Sequence, residues 1–400
     1  MFSRRLKTVY FALEGINAFA TAYYFYYLFF FLRDQFGFGN AQNLAVCALS
    51  GFVYMFAAWF GGRFSQRAGY MASLQLGFGL MGASLLWAAF MPTLVGHMLL
   101  LVTWTFGMSF TWPALEALAS ERETPARLQR MIGIYNVVWA GSSALAYFVG
   151  GALMELLPAR SLFWFPALLH GVQLVIVFYV KHSAEKVDRS VIEEEPVAAT
   201  IPPHEAPPPD LKLPAKAFLR MAWLANPFAY VAINVAAPVI PELARHLQLT
   251  TMQAGFFCSV WFFARLITFA LLWRWTGWHY RFRWLMTAFL LMIGCFATML
   301  LVRQMVVIVL AQVGFGYGIG LIYYSSLFYS MDAGETKGEH GGIHEAAIGS
   351  GIFGGAAIGS AGEYALGGQA GGTWLVSAVL LAGFVGLLLI RWRSAVKAAA

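Results

Sequence analysis

What this chain can fold into is set by the length of its apolar runs. Stretches such as Leu285–Val302 and Thr373–Leu389 carry no charge. About 20 apolar residues in helical form cross the hydrocarbon core of a bilayer. Charged residues make up only 11% of the chain, against roughly 25% in an average globular protein. A soluble fold of this size would lack the polar groups to cover its surface. The runs fall at 8–32, 42–61, 70–91, 93–118, 129–155, 160–181, 215–240, 251–275, 283–302, 304–330, 344–367 and 372–391. The expected fold is an all-α polytopic membrane protein with twelve transmembrane helices.

The charges between the runs give an orientation. Twelve helices place both termini on one side. Of the 26 Lys and Arg, 21 lie on that side, among them Arg4, Arg5, Lys7, Arg63, Arg67, Arg281, Arg283, Arg391 and Arg393. Four (Arg33, Arg160, Arg245 and Arg303) lie on the other, and Arg265 lies within a run. Basic loops stay in the cytoplasm, so both termini are expected there, with the chain crossing the cell (inner) membrane. The basic residues are spread over short loops rather than gathered in one patch, which argues against nucleic acid as a partner despite the net charge of +7. The basic start Met1–Lys7 is followed by a long run with no small-residue cleavage site before Arg33, so it reads as a retained first helix. Cys47, Cys258 and Cys295 all sit in apolar runs, without disulfide or metal spacing.

The longest polar stretch, 182–214, holds three consecutive glutamates, Glu193 to Glu195, and then six prolines between Pro196 and Pro209. It reads as a tether between six-helix bundles at 1–181 and 215–400. The bundles look like a diverged repeat. At an offset of 211 residues Gln42 meets Gln253, Cys47 meets Cys258, Gly107 meets Gly318, and Leu32 and Phe36 meet Leu243 and Leu247. At an offset of 209, Gly150 meets Gly359. Two pseudo-symmetric six-helix halves with a site between them are a known plan for secondary transporters.

With this plan, and with Gly62, Arg67 and Gly69 after the second run, the chain resembles the major facilitator superfamily over nearly its whole length. That family has an Asp–Arg pair here; this chain has Gln66 in place of the Asp, so the charge attributed to gating is missing. The second half keeps only Arg274-Trp275-Thr276-Gly277. In the fifth run Ala146 to Gly151 aligns with the Gly-Pro-x-x-Gly-Gly of exporter-type members but lacks the Pro. The resemblance implies a gating loop at Gly62, Gln66, Arg67 and Gly69, and transport of a small organic solute.

Polar residues inside the runs are the candidate site. Glu14, Asn17, Thr21 and Tyr24 are spaced 3, 4 and 3 apart and share one helical face. That face handles solute or protons, or else it forms a hydrogen-bonded seam with another helix. Arg265 stays charged at any relevant pH and needs a carboxylate, a wet cavity or an anionic solute group. Glu116 follows Thr105, Ser109 and Trp112 on one face; it is a proton carrier, an interfacial residue or the partner of a nearby cytoplasmic Arg. Asn136 leads a face with Trp139 and Ser143, and Asn234 leads one with Tyr230. Glu345 follows His344 at the start of the eleventh run, as a titrating gate or as a carboxylate favoured by the helix dipole. The glycines Gly351, Gly355 and Gly359 let another helix approach closely.

The 332–345 segment is dense in His and carboxylates, but its glycines deny it rigid ligand spacing, so no metal is expected. Nor is any other cofactor, and without a Ser/His/Asp order or a phosphate loop the chain is not expected to be an enzyme. The expected function is a secondary active transporter, proton-coupled, whose partners are the bilayer, a small solute and protons. The alternative is a non-transporting scaffold or receptor on the same fold.

Overall fold

A computed structural model describes residues 2–120, 125–188, 213–332 and 339–399. These form fourteen helical segments. In the first half they are α1 (Phe2–Phe36), α2 (Asn40–Ala68), α3 (Tyr70–Ala88), α4 (Leu94–Met108), α5 (Trp112–Ser120), α6 (Pro125–Leu156) and α7 (Ser161–Asp188). In the second they are α8 (Ala215–His246), α9 (Thr251–Cys258), α10 (Val260–Arg274), α11 (Phe282–Leu301), α12 (Met305–Asp332), α13 (Glu339–Leu366) and α14 (Gly368–Ala399). Most of the expected tether, 189–212, and the loop at 333–338 lie outside the described residues, although α7 runs seven residues past 181.

Two of the twelve expected helices are broken. The fourth divides into α4 and α5 at Ser109–Thr111. Pro113 has no N–H and its ring excludes a helical carbonyl four residues back, at Ser109, but it is well placed in the first turn of a new helix. The eighth divides into α9 and α10 at Ser259, whose hydroxyl donates to the Phe256 carbonyl at 2.8 Å. Counting each broken pair once, eleven helices are long and apolar enough to cross a membrane. The twelfth is α13, where glycines, serines and the glutamates Glu345 and Glu363 lower the hydropathy. It can do without large apolar side chains because it lies between α2 of the first half and α8 of the second. The chain is thus a multi-pass membrane protein of two six-helix bundles.

The repeat can be followed contact by contact. Gln42 caps α2 by accepting the Gly39 N–H at 3.0 Å, and Gln253 caps α9 by accepting the Thr250 N–H at 3.0 Å. Gly107 of α4 packs on Gly77 and Met81 of α3; Gly318 of α12 packs on Ala288 and Met292 of α11. Each of these residues is displaced by the same 211 positions. The glycines of α13 seat it on α8: Gly351 meets Pro227, Gly355 meets Val231 and Gly359 meets Val235, one contact per helical turn on each side.

Helix α8 continues to His246, past the expected end at 240, although it contains Pro227, Pro238 and Pro241. Prolines survive in membrane helices when neighbours satisfy the freed carbonyls. Here the neighbours belong to the other half. Pro238 removes the N–H that would bond the Asn234 carbonyl, and the Cys47 thiol donates to that carbonyl at 3.5 Å. Two further bonds cross to carbonyls that no proline frees: Asn43 donates to that of Pro238 at 3.3 Å and Arg33 to that of Pro241 at 2.6 Å. With the Met252 N–H donating to Glu155 at 2.9 Å, these bonds join the halves at the end of the molecule away from the termini.

Candidate functional site

Where the halves meet, a cavity of ≈ 110 Å³ lies between α1, α2, α4, α5 and α6 on one side and α8, α10, α12 and α13 on the other. A water needs about 10–15 Å³ of such space, so the cavity holds several. Its wall obeys the repeat. Ala22 and Ile233, Tyr54 and Arg265, and Trp112 and Tyr323 are lining pairs 211 residues apart; Trp139 and Ile348, and Ser143 and Ile352, are pairs 209 apart. The two-fold relation between the halves therefore passes through the cavity. The chemistry does not respect it, because a tyrosine faces an arginine.

Of the expected site residues, Thr21, Glu116, Asn234, Arg265 and Glu345 line the cavity. Glu14, Asn17, Tyr24 and Asn136 do not: all four are fully buried behind the wall. The Glu14 carboxylate oxygens have no hydrogen bond within strict geometry, while Tyr135 and Trp112, both wall residues, present their polar groups to it. Asn17 donates to the Thr111 hydroxyl at 3.4 Å, a seam between α1 and the break in the fourth helix. Tyr24 packs edge-on against Trp104 at 4.6 Å. Helical spacing sets the direction of this face; how far each side chain reaches into the space depends on what stands in front of it.

Arg265 is 4% exposed and faces aromatic rings. Its guanidinium carbon lies 4.5 Å from the ring centre of Trp139 and 5.3 Å from those of Trp261 and Phe262. Among the described residues no carboxylate pairs with it, and its Nε is buried without an acceptor. Such rings attract a desolvated cation by about 2 kcal/mol or more each, but they accept none of the hydrogen bonds its five donors can make. Glu345 is tied differently: the Tyr54 hydroxyl donates to its carboxylate at 2.5 Å across the halves. Glu14, Glu116 and Glu345 are close enough to interact electrostatically. The site thus has a cationic pole on α10 and an acidic pole shared by α1, α5 and α13.

Among the wall residues that the expected site did not include are Phe25, Tyr26, Ser50 and Trp104, and with them Tyr54, Tyr135 and Tyr323. Each of the last three looks like core in an apolar run. The repeat held the signal for two of them, since Tyr54 and Tyr323 are the mates of Arg265 and Trp112.

The sequence matches the model of the Major Facilitator Superfamily over residues 11–343. The chain belongs to the major facilitator superfamily. The human organic anion transporter MFSD10 (TETRAN) superposes on this superfamily member with a TM-score of 0.67 and 14% identity, over 96% of this chain and 99% of that one. A mutant of the nucleoside transporter NupG does so with a TM-score of 0.67 and 13% identity, again over 96% and 99%. At such identities the likeness is one of fold. No curated protein matches the chain in sequence.

In this superfamily member the stretch after the second helix is a tight turn and not the expected loop. Helix α2 continues through Gly62, Gln66 and Arg67 to Ala68, and the connection to α3 is Gly69 alone. Gly69 has φ +90°, a conformation that costs a glycine little and other residues much. Its N–H closes on the Ser65 carbonyl at 3.0 Å. Ser65 and Ser73 bond each other at 2.7 Å, and Ser73 donates to the Phe110 carbonyl at 2.8 Å. The turn in this superfamily member is thereby pinned to the break in the fourth helix. Gly61, which sequence reasoning passed over, packs on the Ser109 carbonyl there.

Proposed function

We propose that the chain is a secondary active transporter carrying a small organic solute by alternating access, driven by protons. The observation that supports this reading best is the cavity between the halves, with unpartnered Arg265 at one pole and Glu116 and Glu345 at the other. A buried charge without a partner is costly to keep in a membrane. A solute that supplies the missing partner in one phase of a cycle accounts for it. The carboxylates of Glu14 and Glu116 exchange the coupling proton, and Glu345, bonded to Tyr54 of the other half, senses whether the halves are together. Thr21 and Asn234 contact the solute; Asn17, Tyr24 and Asn136 hold the wall. The tight α2–α3 turn at Gly62, Gln66, Arg67 and Gly69 gates the side bearing the termini, which we place in the cytoplasm. The halves at 1–181 and 215–400 move against each other, with the 182–214 segment as their tether.

The test is uptake by liposomes containing the purified chain, over a panel of sugars, nucleosides, amino acids and organic acids, with and without an inward-acid pH gradient. At least one solute should accumulate on imposing the gradient and should fail to do so with Glu14→Gln. Uptake indifferent to pH and to this change would remove the proton from the mechanism. No uptake of any class would favour a scaffold.

A further inference from the structure

We propose that the solute is an aromatic monocarboxylate, a flat ring bearing one carboxylate and no second anionic group. This rests on the transporter reading above and assigns its substrate class. The charged residues of the wall are Arg265, Glu116 and Glu345. Arg265 is nine-tenths buried and more; among the described residues its Nε finds no acceptor and no carboxylate pairs with it. The Trp104 indole N–H, also on the wall, is another buried donor without an acceptor. Surplus donors of this kind call for an acceptor group with negative charge. A guanidinium fork takes a carboxylate through two parallel hydrogen bonds.

The surroundings of that fork select the rest of the molecule. Trp139 lies under the guanidinium at 4.5 Å and stacks with Tyr323 at 5.1 Å, planes 25° apart. Phe25 and Trp104 lie within 9° of parallel at 6.3 Å. Tyr26 and Tyr230 complete a wall of ring faces and edges. A flat ring packs against such surfaces in offset or edge-on geometry, at about 0.5–1.5 kcal/mol per pair beyond simple burial. The opposite pole sets the limit on charge. A second carboxylate on the solute would be buried against the carboxyl groups of Glu116 and Glu345, which supply no cation to pair with it. A solute with a cation alone would leave the Arg265 fork without an acceptor.

Binding to the detergent-purified full chain tests this directly, read by thermal stability and by tryptophan fluorescence. The probes are phenylacetate and 4-hydroxyphenylacetate, against hexanoate (no ring), terephthalate (two carboxylates) and phenethylamine (a cation). The two aromatic acids should bind at least about tenfold more tightly than the other three, a difference of about 1.4 kcal/mol. Arg265→Lys keeps the charge but loses the fork, and should cost a further tenfold for the aromatic acids. Trp139→Leu should weaken phenylacetate at least several-fold more than hexanoate, a change in their ratio that misfolding would not produce. Equal binding of hexanoate or terephthalate, tighter binding of phenethylamine, or no response to Arg265→Lys would overturn the assignment. So would silence of both aromatic acids. If another solute class is nonetheless taken up by the liposomes, this assignment fails and the transporter reading stands.

Discussion

At the scale of single residues, the site is built from groups whose partners are on other helices. Tyr54 and Glu345 show this most directly. Phenylalanine at position 54 keeps the ring and deletes the hydroxyl that donates to Glu345 at 2.5 Å. A hydrogen bond to a charged group contributes about 1.5–3 kcal/mol, so Tyr54→Phe should lower stability by that order, seen as an earlier melting transition, and should alter pH-driven uptake. A variant that melts and transports like the parent would remove this bond from the account. Glu14, Asn17, Thr21 and Tyr24 were legible in sequence as one face, because the helical period is regular. Which of them reaches the cavity was not legible: Trp104 covers Tyr24 and the break at Ser109–Thr111 takes up Asn17. Both are events on a different helix, and no periodicity within α1 encodes them.

At the scale of helices, the sequence placed the elements well and their breaks poorly. The length of an apolar run reports the hydrocarbon thickness, which is a property of the bilayer and the same for every span. A break depends on one residue, and Pro113 was its visible mark in the fourth helix. Pro241 had a different outcome: the apolar run ends at 240, but α8 continues to His246, and of the carbonyls its prolines free, that of Asn234 is met by Cys47 of the other half. The α13 seam offers a contrast within one helix. A Cβ at Gly355 would sit 2.7 Å from the Val231 Cα, whereas one at Gly354 would meet nothing within 4 Å. Gly355→Val should therefore destabilise by about 1–3 kcal/mol through overpacking. Gly354→Ala should be neutral or stabilise by about 0.5–1 kcal/mol, since it removes backbone freedom from the unfolded chain. Equal melting shifts for the two would show that the seam is looser than its geometry.

At the scale of the molecule, the structure is closed at the end away from the termini, and the closure consists of few bonds. Arg33, Asn43 and Cys47 meet α8 at Pro241, Pro238 and Asn234, so the contacts descend from the surface toward the cavity. Alternating access requires this ladder to break in every cycle. A neutral hydrogen bond contributes about 0.5–1.5 kcal/mol net and a charge-assisted one about 1.5–3 kcal/mol. Removing the Arg33 and Asn43 side chains together should thus favour separation of the halves by about 2–4 kcal/mol, more than a tenfold change in population. Cys47 reports it without an added probe, because its thiol is buried against Asn234 of the other half. With Cys258 and Cys295 changed to alanine, maleimide labelling of Cys47 should be slow in the parent and at least several-fold faster in the Arg33→Ala, Asn43→Ala double variant. The melting temperature should stay close to that of the parent, since separation of the halves leaves the packing within each half intact. Faster labelling with a large loss of stability would mean unfolding. Unchanged labelling would mean that the other bonds at this end, from the Ser360 hydroxyl to the Ala41 carbonyl and from the Met252 N–H to Glu155, hold it shut without the ladder.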